Sequence, residues 1–261
     1  MTELLNASKI LNLPDGLYLN TKITKKVILE SADLTPMEKK LISNDIEKLI
    51  WLATLKPTNS NLNDYTDNLV SYEEVNFIEV YLKEQKNYQK IAQLLQKIIP
   101  YHMILWLQNE DGFCIYTAFK QINQADSTKR TIQELIHTPW INKIDEISEL
   151  FLNSLDFQSL SHHSLKTYYE DFVSQIYALQ SAKITGVFRK QEFHKTFEEV
   201  PLLREIESLE GQIVTLKITL KKQTQIKRKV ELNMQIKRLY FQLTELQETL
   251  TKNNPNPKGV S

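Results

Sequence analysis

VNFIEVYL (75–82), NYQKIAQLLQKII (87–99), HMILWL (102–107) and, beyond Asn109–Gly112, FCIYTAF (113–119) form the stretch that decides the fold. The first run mixes aromatic and β-branched residues over the length of a strand. In the second, Ile91, Leu94, Leu95, Ile98 and Ile99 recur at helical spacing, and Pro100 lacks the N–H that a further turn would need. Asn-Glu-Asp-Gly between two apolar runs signals a hairpin. Thr131 to Ile141 reads as a further strand ending near Trp140. Strand, helix, strand, hairpin and strand in that order predict an α+β fold, a small, mostly antiparallel sheet with helices packed on one face.

Outward from this stretch, Thr35-Pro36-Met37-Glu38 combines a hydroxyl N-cap, proline at the first helical position and glutamate three residues after the cap. Leu41, Ile42, Ile46, Leu49, Ile50 and Leu52 extend that predicted helix to Lys56-Pro57. Thr58–Leu69 reads as a loop with a short edge strand. Leu165–Ala182 forms an amphipathic helix carrying Tyr168, Tyr169, Phe172, Val173, Ile176 and Leu179. The expected organisation is a globular α/β domain over 1–182, a connector over 183–200, a coiled-coil arm over 201–251 and a disordered tail over 252–261.

Composition bounds the function. The chain of 261 residues has five glycines, and no glycine-rich phosphate loop occurs, so nucleotide chemistry by GxxxxGK[ST] or GxGxxG is excluded. Its one cysteine, Cys114, lies between apolar residues and reads as core in a reducing, cytoplasmic setting. No stretch approaches the ~18 apolar residues of a membrane helix, so no membrane partner is expected. No motif implies a cofactor.

From Pro201 the character changes. Ile206, Leu209, Ile213, Leu216 and Leu220 follow heptad spacing, as do Leu232, Ile236, Leu239, Leu243, Leu246 and Leu250. The two series are out of phase, which favours a helical hairpin reversing near Lys221–Lys229 over one straight helix. Charge is sorted along the arm. Glu198–Leu216 holds five acids and one base, whereas Lys217, Lys221, Lys222, Lys227, Arg228, Lys229, Lys237 and Arg238 stand against Glu231 alone, a net of +7 within a chain whose formal charge is zero. Three readings remain open: a solvated face that confers solubility, a surface for nucleic-acid phosphates, or a surface for an acidic protein groove.

Candidate chemistry is sparse. His102, His137, His162, His163 and His194 include no HxxxH or HExxH pair. Glu84-Gln85-Lys86 matches the short half of a metal-dependent nuclease pattern, with Asp64 or Asp67 as the distant acid.

Ile-Pro-Tyr-His at 99–102, Phe113–Lys120, His137-Thr-Pro-Trp140, Tyr169-Glu-Asp-Phe-Val173 and Lys229-Val-Glu-Leu-Asn233 occur in an order that resembles an uncharacterised bacterial family found beside helicases and DNA methyltransferases in restriction and phage-defence loci. Pro139 stands where that family's pattern has an acid. The resemblance implies a setting beside such a helicase or methyltransferase and leaves mechanism open; together with the basic arm it suggests a non-catalytic accessory protein whose α/β domain docks on a partner enzyme and whose arm contacts that partner or DNA. The alternatives are a nuclease using the Glu84 region and a coiled-coil assembly protein that forms homo-oligomers.

Overall fold

A computed structural model describes residues 6–31, 33–126, 129–190 and 193–254. Within them the chain forms α1 (Ala7–Leu11), β1 (Tyr18–Ile23), α2 (Lys25–Ser31), α3 (Pro36–Lys40), β2 (Ile46–Leu55), α4 (Pro57–Ser60), β3 (Tyr65–Thr66), β4 (Ser71–Tyr72), β5 (Val75–Leu82) and α5 (Tyr88–Ile98). There follow β6 (His102–Asn109), β7 (Gly112–Ile122), β8 (Arg130–His137), α6 (Glu146–Ser154), α7 (Leu165–Thr185), α8 (Phe193–Lys222) and α9 (Ile226–Asn253). Backbone packing divides the chain into two units that meet within α7, one up to Ile176 and one from Tyr177.

In the first unit six strands lie in the order β1-β2-β5-β6-β7-β8, and β3 and β4 form a separate pair. Every pairing is antiparallel except β5 with β6, which run parallel. A parallel pair needs a crossover, and α5 supplies it. The fold is therefore α+β, as expected.

The helices cover both faces of the sheet and not one. Ile78, Val80 and Leu82 of β5 and Met103, Leu105 and Leu107 of β6 pack with Ile91, Leu94 and Leu95 of α5. Strand side chains alternate between faces. The intervening residues meet α7: Phe77 stands edge-on to Phe172, and His102 to Tyr169. Each fully buried leucine or isoleucine in these layers stabilises the unit by ~1.5–3 kcal/mol relative to exposure.

The N-terminal helix signal is correct, but its extent differs. Thr35 caps α3 through a complete capping box with Glu38, and Pro36 opens the helix. The helix stops at Lys40, a π turn spans Leu41–Asp45, and Ile46–Leu55 is strand β2. The apolar residues of that segment suit either period. Pairing with β5 from Ile46 to Leu55 overrides the helical spacing, and the β-branched Ile46, Ile50 and Thr54 favour the extended form.

One irregularity in the sheet organises what surrounds it. The β6–β7 ladder ends at Leu105–Tyr116, so Met103 and Ala118 are left without cross-strand partners in that pair. The Tyr169 hydroxyl of α7 enters the gap, accepting from Ala118 N–H at 2.9 Å and lying 2.9 Å and 3.3 Å from the carbonyl oxygens of Ala118 and Met103. From the opposite face Gln96 of α5 donates to Met103 O at 3.1 Å. The next residues of β7 carry a bulge, and there the buried Lys120 Nζ donates to Ile99 O and Tyr101 O, both at 2.7 Å.

The Lys120 side chain is 1% exposed, and burial pulls its ammonium down to about 7. A neutral amine has two N–H groups, which these two carbonyls match. Gly112 fixes the hairpin end of the same strand pair, because a β-carbon there would collide with the Ile141 carbonyl oxygen and stand 2.8 Å from Trp140 Nε1.

Two outcomes are expected from this network. Removing the Tyr169 hydroxyl in Tyr169→Phe strands a buried backbone N–H, so urea unfolding should lose roughly 1–3 kcal/mol with the slope unchanged. An unshifted midpoint would show that the gap is satisfied in another way. Lys120 titrates near 7 folded and at ~10.4 unfolded, so the unfolded chain binds more protons between those values and stability should rise with pH. Between pH 7 and 9.5 the gain should approach about 1 kcal/mol per pH unit. Lys120→Met should flatten that rise, and a wild-type profile already flat over this window contradicts the neutral amine.

Candidate functional site

The second unit holds the basic segment, and its local structure follows from one break in helical order. Helix α8 ends at Lys222 and α9 begins at Ile226. The Gln223 side-chain oxygen accepts from the backbone N–H of Thr224 at 2.9 Å and of Gln225 at 3.1 Å, which holds the reversal in shape. The chain thus forms the helical hairpin that the phase break favours. Ile206, Leu209 and Ile213 of α8 and Leu232, Ile236, Leu243 and Leu250 of α9 are buried, with Leu216, Leu220, Leu239 and Leu246 half-buried. Asn254 closes the open end by donating to Glu199 at 2.8 Å.

Helix α8 begins at Phe193, inside the stretch expected to be connector, and contains Pro201 in its interior. Lys252 and Asn253, assigned to the tail by sequence, belong to α9; residues 255–261 of that tail lie outside the described residues.

Reversal brings all eight basic residues into the half of the hairpin that adjoins the turn. Lys217, Lys221 and Lys222 lie at the end of α8, and Lys227, Arg228, Lys229, Lys237 and Arg238 on the first half of α9. All eight are exposed. Two have partners within the hairpin: Lys217 Nζ donates to Tyr240 Oη at 2.6 Å, and Arg228 pairs with Glu231 at 2.8 Å. Among the described residues, Lys221, Lys222, Lys227, Lys229, Lys237 and Arg238 make no ion pair.

The electrostatics of the two helix ends differ. Lys221 and Lys222 complement the negative end of α8. Lys227, Arg228 and Lys229 sit at the positive end of α9, whose first turn contains no acid. Cations there cost ~0.3–1 kcal/mol each, and an anion at the same place is favoured. Farther down, where Gly211 presents no side chain, the helices leave a groove of about 730 Å³ bordered by Gln212, Leu239 and Arg238.

The other candidate residues do not assemble into a site. Glu84 and Lys86 lie in the turn after β5, whereas Asp64 and Asp67 flank β3 beyond the opposite end of β5, a separation of roughly 26 Å at strand rise. Among the described residues no three of His, Cys, Asp and Glu come together to hold a metal ion.

His102 is buried and stacked on Tyr72 at 3.8 Å, and burial with the nearby charges of Lys120 and Arg130 takes it down to about 3, so it is neutral. His137 stacks on Tyr116 at 4.5 Å, His162 packs on Phe157 at 4.5 Å, and His163 is exposed. His194 lies on α8, with its side chain outside the described residues. Cys114 is free and buried, and burial pushes its thiol up.

Sequence reasoning missed Lys120, Gln96 and the role of Tyr169. Several of the quoted motifs nevertheless converge on them: Ile99-Pro-Tyr-His102 supplies both carbonyls for Lys120, Phe113–Lys120 contains the gap, and Tyr169 fills it. Thr138 of His137-Thr-Pro-Trp140 exchanges bonds with Ile115, accepting at Oγ1 and donating from its backbone, both at 3.0 Å. These motifs thus serve the architecture of the first unit, while Lys229–Asn233 lies in the basic tip of the second.

Among the described residues no helix is long and apolar enough to cross a membrane. No curated protein and no solved structure matches the chain. Residues 11–243 match the model of a domain of unknown function, DUF4391, and the chain belongs to that family.

Proposed function

We propose that this chain is a non-catalytic accessory protein whose basic helical tip binds the phosphate backbone of duplex DNA. The observation that carries the reading is the first turn of α9, which holds Lys227, Arg228 and Lys229 at a helix N-terminus and no acid of its own; Arg228 pairs with Glu231 one turn on, and Lys227 and Lys229 make no ion pair among the described residues. A polyanion would relieve this arrangement. Two helices side by side span about 20 Å, wider than the ~12 Å major groove, so the tip suits contact across phosphates better than reading of base edges. Tyr240 and Phe241 are the aromatics near the cations, which fits backbone contact better than base stacking.

The resemblance to companions of helicases and methyltransferases supports a setting in restriction or phage defence. In that setting the first unit docks on a partner enzyme in the cytoplasm while the tip holds the DNA. A buried, unpaired Cys114 is compatible with a reducing compartment.

Duplex binding should weaken linearly in log–log form with salt. Each phosphate neutralised contributes about −0.9 to the slope, giving roughly −5 if six cations engage. Replacing Lys227, Arg228 and Lys229 by alanine should lower the steepness by about 2–3 and weaken all sequences alike. Fluorescence anisotropy with two unrelated duplexes checks this. Salt-insensitive binding, or none, would leave the tip as a solubility feature or a dock for an acidic protein.

A further inference from the structure

Helix α9 is apolar on two opposite sides. The inner stripe, Leu232, Ile236, Leu243 and Leu250, is buried in the hairpin. On the outer side Ile226, Val230, Met234 and Phe241 recur at spacings of four, four and seven, which at 3.6 residues per turn places them along one face. They are 80%, 53%, 54% and 67% exposed. Single exposed apolar residues need no explanation, but an aligned row of four marks an interaction surface.

We propose that two copies of this chain associate through the outer faces of their α9 helices, packed antiparallel. The order of residues along the stripe selects both the partner and its direction. With Met234 of one copy against Met234 of the other at the two-fold axis, Ile226 comes within one residue of Phe241 of the second copy at each end, while Val230 lies opposite the aliphatic stem of Arg238 and Lys237, on the same face, lies opposite Glu231. Glu245 and Glu248 continue the helix just past Phe241. In this register they reach the reversal of the second copy, where Lys221, Lys222 and Lys227 stand exposed and without ion pairs among the described residues.

A parallel arrangement would instead set Lys227, Lys237 and Arg238 beside their own copies. Like charges in register are destabilising, so the antiparallel form wins. The contact is isologous, which closes at two copies. Arg228 and Lys229 fall outside the stripe, and the association does not depend on the proposal for DNA.

The test uses the full chain without nucleic acid. Sedimentation over a concentration series should show a dimer that dissociates on dilution, and Phe241→Glu should raise its dissociation constant about tenfold or more while circular dichroism stays unchanged. Under a mild thiol oxidant, Met234→Cys should cross-link to itself, whereas Ile226→Cys and Phe241→Cys should cross-link only when mixed. Cys114, being buried, does not compete. A wild-type monomer throughout the series overturns the proposal, as does self-cross-linking of Ile226→Cys. Salt-dependent DNA binding by such a monomer would leave the DNA reading standing.

Discussion

The first unit depends on how a short stretch of unpaired sheet is closed. Beyond Leu105 and Tyr116 the β6 and β7 strands stop exchanging backbone hydrogen bonds, and polar groups at Met103 and Ala118 are buried there. Such a group costs its full desolvation if unmet. Tyr169 answers from one face and Gln96 from the other, while Lys120 secures the turn that leads from α5 into β6. Both covering helices are thereby fixed in register against the sheet at one place, a constraint that apolar packing, which is non-directional, does not supply.

Much of this unit was legible in the sequence because it follows from local periodicity. The α5 face, the β6–β7 hairpin and the capping box at Thr35 each depend on residues within a few positions of one another. Placement of helices on both faces was missed, although the near-continuous apolar run of His102–Leu107 matches a strand covered on each side. Strand β2 was not legible, because Ile46–Leu55 fits a helical stripe and only its long-range pairing with β5 decides otherwise. The bonds of Tyr169 to Ala118 and of Lys120 to Ile99 join side chains to distant backbone. Backbone acceptors are the same at every residue, so no pattern of residue types announces them.

The second unit shows the reverse balance. Its reversal could be read from the phase slip between the two heptad series, and the basic cluster from plain counting. What counting could not supply was the polarity of the helix ends. Positive charge is stabilising on the last turn of α8 and destabilising on the first turn of α9. That distinction exists only once the turn is located at Gln223–Gln225, and it separates a basic surface from one poised to take an anion.

Helix α9 therefore carries two costs within its own chain: cations against its dipole and an apolar row open to solvent. Neither is corrected by propensity or by packing inside the hairpin, and natural chains accept such local conflict chiefly where function requires it. The two differ in place: the cations of the first turn stand at the helix N-terminus, whereas the exposed row runs on past Met234 to Phe241, so relieving one cost does not by itself relieve the other.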